Sequence, residues 1–214
     1  PQIAGLYLFY PFESPMTENN NIKSDPSERE QKIFKALDQQ NQSYVTPKIL
    51  LNALKEMGIL EDDQRIEPLI KELRHKPDSA KISMQEFCKI ISSSIDVVER
   101  AIQGNMIIPD FPAFTKDVQR IFTEAQENKE GDVADYIPQL GRVEPEQFAV
   151  SICTVDGQRY SIGDHDVDFC VQSCSKPITY CLALEEHGEE VVHRYIGREP
   201  SGRGFNELTL NHDG

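Results

Sequence analysis

The chain has 214 residues, a formal net charge of −14 and a negative mean hydropathy, a length that admits one large domain or two small ones. No apolar run approaches the length of a membrane span, and the Lys and Arg residues form no basic stripe, so neither membrane nor nucleic acid is an expected partner. Five cysteines without regular spacing, Cys88, Cys153, Cys170, Cys174 and Cys181, point to reduced thiols in an intracellular compartment.

Residues 1–26 carry four prolines and the run Glu18-Asn19-Asn20-Asn21, which predicts a disordered arm. Leu6-Tyr7-Leu8-Phe9-Tyr10 is apolar, but it is short and no basic residue precedes it, so it does not make a signal peptide. The first residue is Pro1 and the last stretch lacks a cap; the chain reads as a fragment of a longer protein.

Residues 27–105 are expected to form a helical domain. Ser27 and Glu30 make a capping-box pattern, and Ile33, Phe34 and Leu37 follow at helical spacing. Amphipathic segments are then predicted over 48–57, with Ile49, Leu50, Ala53, Leu54 and Met57 on one face, over 66–73, and over 84–101. The helices pair with the cadence of EF-hands, whose loops need acidic oxygens at fixed positions and a final glutamate. The first loop offers Asp38, Gln40, Gln42, Ser43 and Ile49; the second offers His75, Pro77, Ser79, Ala80 and Glu86. One keeps the first ligand and the other the last, so a packing or assembly module without calcium is expected.

The segment 106–130 is expected to hold a connector and a helix; connector-like composition begins at Gly104, just before it, and runs to Phe114, and the helix covers 115–127. Two β-rich runs, 148–155 and 158–162, flank Asp156-Gly157 and predict a hairpin with a two-residue turn, both central residues at positive φ. Val171-Gln172-Ser173 then reads as a strand end, and a helix is expected from about Cys174 to His187, closed by Gly188. Cys170, Cys174 and Cys181 straddle that junction without zinc-type spacing and are read as small buried or half-buried side chains.

The chemistry is expected at this helix start. Ser173 and Lys176 stand three apart, a spacing that places both on one helix face. The helix N-terminus favours a developing oxyanion and disfavours a protonated lysine, which can then act as base toward the serine hydroxyl. Ser-x-x-Lys alone is weak, and a capping serine beside a solvated lysine is the competing reading. A hairpin leading into a helix that opens with Ser-x-x-Lys is, however, the arrangement of serine β-lactamases and penicillin-binding proteins. Ser175 is a rival nucleophile but points about 100° away. Cys174 with His165 or His193 would be a thiol alternative.

Several segments resemble the animal-type glutaminase family. Asp135-Tyr136-Ile137-Pro138-Gln139-Leu140 resembles the opening of its catalytic domain. Val150-Ser151-Ile152-Cys153-Thr154-Val155-Asp156-Gly157 is similar to its first hairpin, and Phe169-Cys170-Val171-Gln172-Ser173-Cys174-Ser175-Lys176-Pro177 to its nucleophile segment. His193-Arg194-Tyr195-Ile196-Gly197-Arg198-Glu199-Pro200-Ser201-Gly202 resembles the stretch before its gating loop. The likeness is near-continuous from about Gly131 to Asn211, and looser back to Ser27.

The resemblance implies an α+β chain in which an EF-hand-like helical domain precedes the start of a serine β-lactamase/penicillin-binding-protein-like domain, incomplete over 131–214. It implies hydrolysis of L-glutamine to L-glutamate and ammonia, with Ser173 acylated, Lys176 as its base and the Ser173 N–H in the oxyanion hole. Tyr136 and Gln172, with Ser173, would contact substrate. No metal or organic cofactor is implied; inorganic phosphate would be an activator, ordering the loop over 197–210 in a mitochondrial homotetramer. Glu207 and Thr209 depart from the family pattern in that loop. Further family site residues would lie beyond Gly214, so this chain alone is expected to be inactive. The alternatives are another acyl-serine hydrolase of penicillin-recognising type, or a non-catalytic oligomerisation module.

Overall fold

The computed structural model describes residues 25–200, 202–204 and 207. Most of the expected arm, Thr209 and much of the expected activation loop lie outside these residues. Two compact units emerge: one runs to Ala125 and includes Ser151–Ser161, and the other comprises Gln126–Val150 and the residues from Ile162 onward.

In the first unit, α1 (Glu28–Leu37) opens with the expected capping box: the Glu30 carboxylate accepts the Ser27 N–H at 2.7 Å, and Ser27 Oγ accepts the Glu30 N–H at 3.3 Å. Each interaction satisfies a backbone donor that the helix start leaves unpaired. Thr46 caps α2 (Pro47–Glu56), which buries Leu50 and Leu54 completely. Ile49, expected on that buried face, is instead 41% exposed, because it sits at the margin of an apolar stripe only about 100° wide. A 3₁₀ turn (Gln64–Ile66) leads into α3 (Glu67–Leu73).

The single helix expected over 84–101 is broken. It forms α4 (Met84–Ile91), a 3₁₀ turn over Ser92–Ser94, and α5 (Ile95–Ile102). Serine hydroxyls compete for backbone carbonyls and weaken a helix interior. Here Ser92 Oγ donates to the Lys89 carbonyl and buried Ser94 Oγ to the Arg65 carbonyl, both at 2.9 Å. The next helix, α6 (Phe111–Gln126), starts four residues before its expected position at 115. Pro112 falls in its first turn, where a missing N–H costs nothing.

Ile33, Phe34, Leu50, Leu54, Ile66, Phe87 and Ile91 belong to one buried cluster. Phe87 is fully buried and meets Phe34 edge-on, centroids 5.3 Å apart. Phe87→Ala is therefore expected to destabilise this unit by about 3–5 kcal/mol, readable as a lowered midpoint in urea unfolding followed by helix circular dichroism. A midpoint within error of the parent would contradict this packing.

The hairpin strands are β1 (Ala149–Cys153) and β2 (Arg159–Gly163). Their connection has three residues, Val155-Asp156-Gly157, rather than the expected two: the Thr154 N–H donates to the Gln158 carbonyl, and the Gly157 N–H to the Thr154 carbonyl. Among the loop residues only Gly157 has positive φ, at 85°. This matches a type I turn closed by a left-handed glycine, which Asp-Gly supports as readily as the two-residue turn.

In the second unit the expected strand end at Val171-Gln172-Ser173 is absent. Gln172–Cys174 forms a 3₁₀ turn that runs into α7 (Ser175–His187). Gly188, at φ 75°, ends α7 with its N–H on the Leu184 carbonyl, and α8 (Glu189–Val192) follows. No residue of α7 is buried; Ile178, Tyr180 and Leu182 are 49, 37 and 42% exposed.

Candidate active site

The candidate nucleophile occupies the turn before α7. Gln172 adopts φ 47°, a left-handed conformation that costs a residue with a Cβ free energy and is kept where neighbouring groups enforce it. Two contacts do so here: the Tyr136 hydroxyl donates to Gln172 Oε1 at 2.6 Å, and Ser175 Oγ donates to the Gln172 carbonyl at 2.8 Å. The Cys174 N–H also closes onto the Val171 carbonyl at 3.0 Å. Ser173 is thus held at the apex of a turn pinned on both sides.

The structure therefore brings together Tyr136 and Gln172, residues 36 positions apart, and sets Ser173 between Gln172 and the first turn of α7. Ser173, Gln172 and Lys176 are exposed, and Tyr136 is 72% exposed. Among the described residues, Ser173 and Lys176 make no hydrogen bond to each other. The first turn of α7 contains no acidic residue, so the positive end of the helix is unopposed by an adjacent carboxylate.

The rival nucleophiles separate on geometry. The Ser175 hydroxyl is committed to the Gln172 carbonyl. His193 uses both ring nitrogens, Nε2 toward the Tyr180 hydroxyl at 3.0 Å and Nδ1 toward the Ile196 carbonyl at 3.1 Å. That leaves it no nitrogen for Cys174, while His165 pairs with Asp166. Cys170 and Cys174 are exposed and Cys181 half-buried, which corrects the expectation of burial for the first two. Cys88 is no rival, since burial and then the neighbouring Glu30 charge push its thiol up to about 11.

A cavity of about 790 Å³ opens beside α7, lined by Lys176, Tyr180, Glu189, His193 and Arg198 among others. Lys176 reaches it and Ser173 does not line it. The Tyr180–His193 pair was not singled out in the sequence; the only signal was a tyrosine on the same helix face as Lys176, four residues on. Another groove, of about 670 Å³, lies in the helical unit against Tyr44, Asn52 and Met57 and holds no candidate nucleophile.

The EF-hand-like loops are internally satisfied. The Asp38 carboxylate accepts the Gln42 and Ser43 N–H groups, both at 2.8 Å. Lys76 Nζ sits on Glu86 Oε1 at 2.5 Å. An antiparallel bridge between Val45 and Ile82 joins the two loops.

Two family models match successive stretches of the chain. Residues 131–214 match the glutaminase family model, and residues 29–109 match an EF-hand domain model. The chain is 38% identical to "Putative glutaminase 2" of Caenorhabditis elegans, over 92% of this chain and 36% of that protein. It is 39% identical to the mouse protein named "Glutaminase liver isoform, mitochondrial", over 76% of this chain and 28% of the mouse protein. A cyanobacterial "Glutaminase" from Trichormus variabilis is 42% identical over 53% of this chain and 34% of its own length. The chain thus spans about a third of the length of these relatives.

Proposed function

From the match of residues 131–214 to the glutaminase family model, we propose that this chain contributes the nucleophile segment of a glutaminase and that the full-length protein hydrolyses L-glutamine to L-glutamate and ammonia. The observation that carries this reading is the pinned turn, in which Tyr136 and Ser175 fix Gln172 immediately before Ser173. Ser173 Oγ attacks the side-chain carboxamide carbon of glutamine, and the Lys176 amine takes the hydroxyl proton. The oxyanion that forms lies against the Ser173 N–H and the positive end of α7. The tetrahedral species collapses as the C–N bond breaks; the nitrogen leaves with the transferred proton as ammonia, and a glutamyl ester stays on Ser173. Water, deprotonated by Lys176, then cleaves the ester to release glutamate.

The reading extends to a serine β-lactamase-like architecture, supported by the hairpin and the Ser-x-x-Lys helix start. Mitochondrial placement is supported by the mouse relative's name. A phosphate-activated homotetramer, with glutamine as the ligand, follows from the family likeness. The test is incubation of the full-length protein with L-glutamine, with and without inorganic phosphate, following ammonia and glutamate together. Equimolar release, raised by phosphate, is expected. No release, with Ser173 instead acylated by a β-lactam, would overturn the substrate assignment.

Within this reading the Tyr136 hydroxyl orders Gln172 for substrate. Tyr136→Phe is expected to raise KM for glutamine about tenfold, the loss of roughly one hydrogen bond, with a smaller change in kcat. An unchanged KM would remove Tyr136 from the site.

A further inference from the structure

The buried polar side chains of the first unit gather where the hairpin loop enters it. Gln158 is fully buried, and Asp156 is 9% exposed. Gln158 Oε1 accepts the Ile108 N–H at 2.9 Å, and its Nε2 donates to the Ile108 and Met57 carbonyls at 3.0 and 3.1 Å. Asp156 Oδ2 accepts Arg100 Nη2 at 3.0 Å and the Ile107 N–H at 2.8 Å, while the Asp156 carbonyl accepts Arg65 Nη1 at 2.8 Å. The Arg159 N–H donates to the Gly58 carbonyl at 2.8 Å, and the Arg159 guanidinium forks onto Asp62. That hydrogen-bonded guanidinium holds the Asp62 carboxyl below its ordinary range.

Shape agrees with chemistry. Gly58 has φ +79°, and a Cβ there would stand 2.6 Å from the Phe111 ring and 2.8 Å from the Arg159 nitrogen, so only glycine admits this approach. No buried side-chain polar atom among the described residues lacks a partner. A buried amide with its donors and acceptor matched is costly to uncouple, because opening the contact strands those groups. The EF-hand-like loops show the opposite use of polar groups: Asp38 and Glu86 are satisfied by Gln42, Ser43 and Lys76 within their own motif.

We propose that the EF-hand-like module is a fixed docking platform for the β1–β2 hairpin, and that Gln158, with Asp156, is a positioning residue for acylation at Ser173. The second clause rests on the glutaminase reading. Strand β2 leads through residues 164–171 into the Gln172–Cys174 turn, so a hairpin anchored at its loop constrains the chain that delivers the serine. The module works as a scaffold, its polar surface spent on a protein segment.

The test uses full-length protein. Gln158→Leu removes all of the side-chain hydrogen bonds at nearly constant volume. It is expected to lower kcat at least about tenfold while leaving KM within about twofold, at a temperature where circular dichroism shows the variant folded. A kcat per folded molecule equal to the parent's, with only the melting temperature lowered, would overturn the positioning role. Should Gln158→Leu not accumulate, the Asp62–Arg159 ion pair decides. Asp62→Arg and Arg159→Asp should each lower kcat, and the double reversal should restore it; no recovery overturns the proposal. If the parent protein fails to turn over glutamine, the glutaminase reading fails and hydrogen exchange judges the platform alone. The Ile107, Ile108 and Arg159 amides should lose protection together in Gln158→Leu while those of α2 keep theirs, and retained protection would overturn it.

Discussion

Ser173→Ala in the full-length protein should abolish glutamine hydrolysis, with kcat falling by at least about 10⁴-fold and the fold unchanged. The size of the effect follows from covalent catalysis: without Oγ there is no ester, and water must attack an amide directly. Stability should not move, because Ser173 is exposed and no hydrogen bond of its side chain contributes to the turn. The neighbouring hydroxyl supplies the control. Ser175→Ala removes the 2.8 Å bond to the Gln172 carbonyl and should weaken the turn, lowering activity far less than Ser173→Ala. The reverse order would assign the nucleophile to Ser175.

Lys176→Met should lower kcat by about 10²–10⁴-fold, the usual contribution of a positioned general base. Glutamine binding should change little, since methionine fills much of the same volume and no substrate contact is assigned to the lysine. Lys176→Arg should fail to rescue, because an arginine stays protonated and cannot accept the serine proton. Full recovery by arginine would show that Lys176 acts as a cation.

The first helices were legible because their signals are local. The Ser27–Glu30 capping box and the spacing of Ile33, Phe34 and Leu37 are set within one or two turns, and all reappear in α1. The break at Ser92–Ser94 was not, because whether serine hydroxyls break a helix depends on partners elsewhere; Ser94 finds the Arg65 carbonyl, 29 residues away. The hairpin was visible, yet its loop length was misread, because Asp-Gly suits two turn types and the choice falls to Thr154, whose Oγ1 accepts the Gln158 N–H at 2.9 Å. Gln158 itself gave no sign. A single glutamine after a turn looks solvated until Met57 and Ile108, 101 and 50 residues away, are seen to enclose it.

For the candidate site, Ser173 and Lys176 were singled out by spacing, whereas Tyr136 and Gln172 entered only through family likeness. Their contact spans 36 residues, beyond any periodicity. The Tyr180–His193 pair escaped notice for the same reason, its partners lying on different helical segments. What the structure adds to the Ser-x-x-Lys pattern is the left-handed Gln172, a strained residue placed directly before the serine and held by two hydrogen bonds.

The central claim is that Ser173 carries the acyl group, and acid quenching of the full-length protein during glutamine turnover, followed by peptide mass spectrometry, tests it most directly. The peptide spanning Ser173 should carry a glutamyl ester that is absent without glutamine and absent in Ser173→Ala. A glutamyl group on Cys174 or Ser175, or an unmodified peptide during sustained turnover with the same burst of ammonia, would contradict the account.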